Sequence, residues 1–134
     1  MIVRNFWRAG LMAAAGMALA TAAQAQTKLT VYTALESDQL KAYKEAFEKD
    51  VKDVELVFVR DSTGVITAKL LAEKNNPRAD IVWGVSASSL ALLANEGMIE
   101  PYAPAGSDKV TAKFKDAKNP PNWVGMDVYS SAIC

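Results

Sequence analysis

Apolar and polar positions follow two alternating patterns along residues 28–95. Short runs rich in β-branched and aromatic residues predict buried strands, at 28–33, 54–59 and 79–83. After each run, apolar residues recur every three to four positions, which predicts helices over 36–49, 63–74 and 86–95. A repeated strand–helix order favours right-handed crossovers. The pattern therefore predicts an α/β fold with a mostly parallel sheet flanked by helices.

The first predicted helix has a clear amphipathic face. Leu40, Tyr43, Ala46 and Phe47 fall at helical spacing, which places them together on one face of the helix. Ser37 is a suitable N-cap for this helix, because its hydroxyl can accept a backbone N–H from the first turn.

The carboxyl ends of the three predicted strands carry polar and small residues. These ends lie at 32–34 (Tyr-Thr-Ala), 60–64 (Arg-Asp-Ser-Thr-Gly) and 83–86 (Trp-Gly-Val-Ser). In open parallel sheets, ligands bind beyond the carboxyl ends of the strands. We therefore expect these residues to converge on one edge of the sheet and to form a ligand site there.

The strongest candidate within that edge is the turn Asp61-Ser62-Thr63-Gly64. Ser62 and Thr63 offer hydroxyl groups, Gly64 allows close approach of the backbone, and the first N–H groups of the following helix have no intrahelical partner. A phosphate, phosphonate or carboxylate would fit these donors. The alternative is that Asp61 or Ser62 only caps the helix.

Four other residues could contact a ligand. Thr33 ends the first strand and offers a hydroxyl, and Trp83 could pack against a carbon chain or an amine, or simply fill the core. Glu36 and Asp127 are the acidic candidates for binding a cationic group, with a solvated surface charge as the alternative for either.

The N-terminus has the pattern of a secretory signal peptide over residues 1–25. Arg4 and Arg8 provide a positive start, residues 10–23 form an apolar run, and Ala23-Gln24-Ala25 is a cleavage site of the small-x-small type. An uncleaved membrane anchor is the alternative, but the run is short and rich in alanine. We expect cleavage before Gln26 and a location in the bacterial periplasm.

The composition of residues 26–134 narrows the function classes. With Arg4 and Arg8 removed, 13 basic residues face 15 acidic ones, a formal charge of −2, which gives no basic face for nucleic acid. The sequence has no histidine, which excludes histidine-based catalysis and zinc sites built on histidine. Motifs of hydrolases, P-loop proteins and dinucleotide enzymes are also missing, so we expect no enzyme, no catalytic residue, no metal and no cofactor.

Several segments together resemble periplasmic solute-binding proteins of ABC importers. The matching segments are LTVYT at 29–33, DSTG at 61–64, ADIVWG at 79–84 and EGMIEPY at 96–102. The branch that they resemble includes ferric-iron binders. Within it, VRDSTGVI at 59–66 and WVGMD at 123–127 look most like 2-aminoethylphosphonate-binding proteins.

This resemblance implies two α/β lobes that close on a ligand, joined by crossover strands. Residues 26–134 would be the N-terminal lobe, ending within the crossover, and the second lobe would be missing. The chain ends in an apolar run at Cys134, which also suggests a C-terminally truncated fragment. The implied partners are a small phosphonate and an inner-membrane permease, and we expect a monomer. Ser62, Thr63 and Gly64 would hold the phosphonate, and Asp127, Glu36 or Trp83 the ammonium.

Three alternatives to phosphonate capture stay open at this point. A ferric-iron binder of the same family is one, since Glu36 stands where such relatives carry a ligand, although Val85 replaces their acidic residue after the third strand. An extracytoplasmic enzyme and a non-functional truncated remnant are the others.

Overall fold

The structure is a computed structural model that describes residues 26–129. The predicted signal peptide, its cleavage site and Cys134 lie outside these residues. In the described part of the chain, no helix is both long enough and apolar enough to cross a membrane.

Strands and helices alternate through the first two thirds of the described chain. In order, they are β1 (Thr27–Thr33), α1 (Ser37–Asp50), β2 (Val54–Arg60), α2 (Thr63–Ala72), β3 (Ile81–Trp83) and α3 (Ala87–Asn95). Two short 3₁₀ turns follow, at Ser107–Lys109 and Ala112–Phe114. The six predicted elements are therefore confirmed, with ends that differ by one or two residues.

The three strands form one parallel sheet in the order β2-β1-β3. Thr33 at the end of β1 is opposite Arg60 on one side and Trp83 on the other, so the three carboxyl ends meet at one edge. This confirms the predicted α/β class with a parallel sheet flanked by helices.

The beginning of α1 differs from the prediction. Glu36, and not Ser37, is the N-cap, and it forms a capping box with Gln39. The Glu36 side chain accepts the Gln39 backbone N–H, and Gln39 Oε1 accepts the Glu36 N–H at 3.3 Å. A carboxylate can satisfy the first-turn donors as well as a serine hydroxyl can, so the sequence allowed both assignments.

Alternate residues of β1 point to the two faces of the sheet. Tyr32 faces α2 and α3, where it forms the core with Ile66, Leu70 and Leu93. On the opposite face α1 buries only Leu40 of the residues on its predicted apolar face. Tyr43 is 45% exposed and lines an open apolar groove with Ala46, Phe47 and Trp83. Tyr43, Ala46 and Phe47 line this groove together, as expected of residues on one helical face, but Tyr43 and Ala46 stay exposed because no other described element covers that part of the sheet.

A polar network ties the buried face of β1 to the end of α2. The Tyr32 hydroxyl donates to Glu73 Oε2 at 2.8 Å, and Lys69 Nζ lies 2.8 Å from Glu73 Oε1. The hydrogen bond from Lys69, followed by that from Tyr32, lowers the pKa of Glu73 despite its partial burial. Burial raises the pKa of Tyr32, and the hydrogen bond to Glu73 adds to this effect.

The lowered pKa of Glu73 predicts a pH-dependent contribution to stability. The contribution is fully present above the ordinary carboxyl pKa of about 4.3 and disappears as pH falls through the lower folded-state value. Glu73→Gln should therefore lower the melting temperature at pH 7, and the gap from wild type should shrink below about pH 4. Glu45→Gln is the control. Glu45 is exposed, and its ion pair with Lys41 is long, at 3.9 Å, so it should contribute little to stability. If Glu73→Gln lowered the melting temperature equally at pH 7 and pH 3, the stabilising role of the Glu73 carboxylate would be contradicted.

Candidate ligand-binding site

Three turns form the carboxyl edge of the sheet. Each follows one strand, at residues 34–36, 61–62 and 84–86. The extended segment 123–129 reaches the same edge, since Met126 contacts the Trp83 indole nitrogen. Asp127 lines a cavity there together with Trp83. The structure thus brings the predicted site residues of all three strand ends to one edge, as the parallel topology requires, and segment 123–129 adds Asp127 to it.

The turn between β2 and α2 leaves several donors available. Ser62 is the N-cap of α2, and its hydroxyl accepts the Val65 N–H at 3.5 Å. Within the described chain, the backbone N–H groups of Thr63 and Gly64 and the Thr63 hydroxyl have no hydrogen-bond partner. A Cβ at Gly64 would have no atom within 4 Å, so the space above the turn is open. The turn can therefore offer two N–H groups and a hydroxyl to an anion.

The Asp61 carboxylate affects both the donors and the charge of this turn. Its carboxylate accepts the Ser62 N–H at 2.7 Å and so occupies the first donor of the turn. A negative charge beside an anion site reduces the attraction for a ligand that is only anionic. The turn is therefore better suited to a ligand that also carries a positive group.

Leu35 connects the three turns. Its carbonyl accepts a hydrogen bond from Arg60 Nε at 3.0 Å, which ties the loop after β1 to the end of β2. Its side chain lies against Gly84, where an added Cβ would come within 2.8 Å of Leu35 Cδ2. Gly84 has a φ of +66°, which glycine adopts at low cost. The relative positions of the turns thus depend on one leucine and on a glycine beside it.

Two predicted ligand residues, the buried Thr33 and the exposed Glu36, have structural partners within the fold. Thr33 is fully buried, with its hydroxyl accepting the Leu35 N–H at 3.1 Å and its carbonyl accepting the Asp61 N–H at 3.1 Å. Glu36 caps α1 and forms an ion pair with Arg60 at 2.6 Å. Both residues hold the loop after β1 in place, whatever further contact they make with a ligand.

The β3 side of the edge contains a cavity of about 220 Å³. Trp83, Ser86 and Asp127 line it, together with Gly84 and Met126. The Trp83 ring also makes an edge-to-face contact with Tyr43, with ring centroids 4.8 Å apart, so it belongs both to the cavity and to the apolar face.

Two polar residues at this edge, Ser86 and Arg60, belonged to the predicted strand ends but were not singled out as ligand contacts. Ser86 caps α3 by accepting the Ser89 N–H at 3.3 Å, and its hydroxyl lies 3.0 Å from that of Ser88. The serine-rich run after a strand could have identified it, by the same logic that identified Ser62. Arg60 was named only as part of a strand end, although a cation at that position is itself a signal.

Besides Thr33 and Glu36, which follow β1, the predicted site residues fall into two groups. Ser62, Thr63 and Gly64 lie beyond β2, whereas Trp83 and Asp127 lie beyond β3. The central strand β1 separates them, and two strand spacings amount to about 10 Å. A ligand placed over the end of β1 would lie between the two groups.

A larger cavity of the described chain lies elsewhere. It has a volume of about 580 Å³ and runs along the outer side of β3, lined by Arg78, Tyr102 and Trp123 among others. None of the predicted ligand residues lines it, so it is not part of the candidate site. Within residues 26–129, no three His, Cys, Asp or Glu side chains are grouped to hold a metal ion.

Sequence comparison finds relatives among bacterial proteins. The chain is 35% identical over 103 residues to an uncharacterized protein of Haemophilus influenzae, covering 77% of this chain and 30% of that protein. It is 39% identical over 64 residues to the probable ABC transporter periplasmic-binding protein y4fP of Sinorhizobium fredii, covering 48% of this chain and 18% of that protein. No protein-family model matches the sequence.

Comparison with solved structures also finds periplasmic binding proteins. The periplasmic binding protein AfuA of Actinobacillus pleuropneumoniae, solved with exogenous fructose-6-phosphate bound, superposes with a TM-score of 0.62 at 29% identity. The fold is a periplasmic-binding-protein lobe. The match covers 69% of this chain and 28% of AfuA, which fits a single lobe.

An iron-binding protein shares the same fold. Iron-bound HitA from Pseudomonas aeruginosa has a TM-score of 0.62 at 18% identity, with 68% of this chain and 29% of HitA covered. At this identity the likeness concerns the fold alone. The chain spans less than a third of each of these known proteins.

Proposed function

We propose that this chain acts in the substrate-binding component of an ABC importer. In this role it captures a small phosphonate in the periplasm, as a monomer, for delivery to an inner-membrane permease. The named relative y4fP and the fold shared with AfuA support the transport role. The candidate ligand is 2-aminoethylphosphonate, which has a tetrahedral oxyanion at one end and an ammonium at the other.

We infer the ligand class from one observation, the donor groups of the turn between β2 and α2. Among residues 26–129, its donors without a partner are the N–H groups of Thr63 and Gly64 and the Thr63 hydroxyl, all at a helix N-terminus. The open space at Gly64 admits an oxyanion close to the backbone. AfuA, which is 29% identical to this chain, was solved with fructose-6-phosphate bound, and this supports a phosphoryl type of ligand here.

The ammonium would bind on the β3 side of the edge. Asp127 can accept its hydrogen bonds, and the half-buried Trp83 ring can provide a cation–π contact. Glu36 is the weaker candidate, because Arg60 already neutralises its carboxylate.

A ferric ion is the second candidate and has less support. A hard trivalent cation needs several anionic oxygen ligands. The edge offers Glu36, Asp61 and Asp127, of which Glu36 is paired with Arg60 and Asp61 is bonded to a backbone N–H.

The test is a titration followed by ¹⁵N NMR on the purified chain, a method that also measures weak binding. 2-Aminoethylphosphonate should shift the amide signals of Thr63 and Gly64 with saturation. Ethylphosphonate should bind more weakly, because it lacks the ammonium. Ferric citrate should leave these signals unchanged. Saturable binding of iron without phosphonate binding would place the protein with the iron binders, and no binding of either would favour a non-functional remnant.

Asp127→Asn tests the ammonium side of the same proposal. The substitution keeps the shape and removes the charge, so 2-aminoethylphosphonate should lose about tenfold in affinity, while ethylphosphonate should be nearly unaffected. Asp108→Asn, in the 3₁₀ turn Ser107–Lys109, is the control and should change neither affinity. Equal losses for both ligands in Asp127→Asn would remove Asp127 from the ammonium site.

A further inference from the structure

β2 is an edge strand of the sheet, because β1 lies on one side of it and no strand of the described chain lies on the other. Along a parallel strand, the backbone groups of successive residues point alternately to the two sides. The Asp53 carbonyl and the Asp61 N–H both bond to β1, so the odd-numbered residues of this stretch face β1. The backbone N–H and C=O groups of Val54, Leu56 and Phe58 therefore face the open side of the edge.

The open side of β2 is suited to pairing with another strand. Residues 54–59 (VELVFV) are mostly β-branched, aliphatic or aromatic, carry one charge and include no proline. Such a segment with free backbone groups is a template for strand addition and aggregation. Two copies of this chain would pair antiparallel about Leu56, with Val54 of each copy opposite Phe58 of the other. An unprotected β2 edge would therefore favour a dimer of this chain.

Two side chains of α1 occupy the middle of this edge. Lys44 Nζ donates to the Leu56 carbonyl at 2.5 Å, and Glu48 Oε1 accepts the Leu56 N–H at 3.2 Å. The Lys44 Nζ and Glu48 Oε1 atoms are themselves 3.2 Å apart. One donor and one acceptor are thus bound to Leu56, as they would be if a residue of a partner strand lay opposite it.

Helix stability alone is a poor explanation of this arrangement. Lys44 and Glu48 form an i,i+4 pair on α1, but lysine before glutamate is the less favourable order for such a pair. Lys41 and Glu45 form a pair of the same order that is 3.9 Å long, with side chains 79% and 68% exposed. The Lys44 and Glu48 side chains are only 36% and 32% exposed. The contact with Leu56 is what distinguishes the shorter and less exposed pair.

We propose that Lys44 and Glu48 keep the protein monomeric by occupying the backbone groups of Leu56 at the edge of β2. A second copy that approaches this edge meets a paired lysine and glutamate where a partner strand needs a free N–H and a free C=O. Pairing there would first have to break two hydrogen bonds that involve charged groups. The inference goes beyond the proposed function, because it gives a structural cause for the monomer and does not depend on the ligand.

A double variant tests the role of these side chains. Lys44→Met combined with Glu48→Met keeps two long side chains and removes both hydrogen-bonding groups, so the edge is left open. Sedimentation velocity of the purified chain should then show a dimer whose fraction rises with concentration, whereas the wild type stays monomeric. Lys41→Met combined with Glu45→Met is the matched control. It removes the same charges and adds the same apolar groups on the exposed part of the same helix, and it should stay monomeric.

Hydrogen exchange followed by NMR locates the contact. In the wild type the Leu56 N–H is bonded to Glu48, whereas the Phe58 N–H faces the open side of the edge. After correction for intrinsic rates, the Leu56 amide should therefore exchange about tenfold or more slowly than the Phe58 amide. In the Lys44→Met, Glu48→Met variant, exchange at Phe58 should become slower as the dimer forms.

Each outcome decides the proposal. A dimer formed only by the Lys44→Met, Glu48→Met variant, with Phe58 protected, supports it. A variant that is folded and monomeric at every concentration overturns it, and so does equal association of the control variant. If the double variant does not fold, Lys44→Met alone takes its place in the same comparison. A wild-type Leu56 amide that exchanges as fast as that of Phe58 also overturns the proposal, while phosphonate titrations test the proposed function separately.

Discussion

Gly84→Ala should lower the free energy of unfolding by about 2–4 kcal/mol. Two independent effects add at this position. Gly84 has a φ of +66°, a left-handed conformation that costs an alanine about 1–2 kcal/mol. The added Cβ would also overlap the side chain of Leu35, which would have to move away from the β3 turn. Urea denaturation of the wild type and the variant measures the difference.

Gly97 provides a matched control for the conformational part of this cost. Its φ is +70°, but a Cβ at Gly97 would have no atom within 4 Å. Gly97→Ala should therefore cost only about 1–2 kcal/mol. The excess in Gly84→Ala measures the overlap with Leu35, and adding Leu35→Ala should reduce the effect of Gly84→Ala toward that of Gly97→Ala. Equal costs at the two glycines would show that Leu35 does not pack against Gly84.

The periodicity of apolar residues was sufficient to predict the architecture. Runs of β-branched residues identified the strands, because β1 packs against α2 and α3 on one face through Tyr32 and buries Val31 on the other. The strand–helix order then determined the parallel direction and the edge where the strands end. Local sequence shows where each strand ends, and parallel strands end at the same edge. The candidate residues chosen at strand ends were therefore found near that edge.

The contacts within the edge could not be predicted in the same way. Arg60 and Glu36 are separated by 24 positions in the sequence, and no local pattern indicates their pairing. Thr33 has the composition of a ligand residue, but the loop after β1 folds over it and buries its hydroxyl. Side-chain partners depend on how loops close in three dimensions. Hydrophobic periodicity, by contrast, reflects only which face is buried.

The charges at the edge, taken together, determine which ligand charge it favours. A helix N-terminus alone would attract any anion. With Asp61 bonded to the first N–H group of the turn and Asp127 in the neighbouring cavity, the edge disfavours a simple anion and favours a ligand with charges of both signs. This property links the donors beyond β2 with the acidic and aromatic residues beyond β3.

Thr63→Ala should weaken the binding of 2-aminoethylphosphonate by about ten- to hundredfold. The variant removes a hydrogen bond to a charged oxygen, which contributes about 1.5–3 kcal/mol. Its effect on stability should be small, because Ser62, and not Thr63, is the N-cap of α2 and the Thr63 hydroxyl has no partner in the described chain. Ser62→Ala is the comparison variant, and it should lower the free energy of unfolding by about 0.5–2 kcal/mol through the lost cap.

Gly64 gives the sharpest form of this test, because stability and affinity should change in opposite directions. Gly64 lies in the first turn of α2, and a Cβ there would meet no other atom. Gly64→Ala should therefore stabilise the protein by about 0.4–1 kcal/mol, since alanine restricts the unfolded chain. The same methyl group would occupy the space that the oxyanion needs, so phosphonate affinity should fall, and Gly64→Val should lower it further. If Gly64→Ala and Thr63→Ala both bind the phosphonate as the wild type does, the oxyanion does not bind at this turn and the proposed site is wrong.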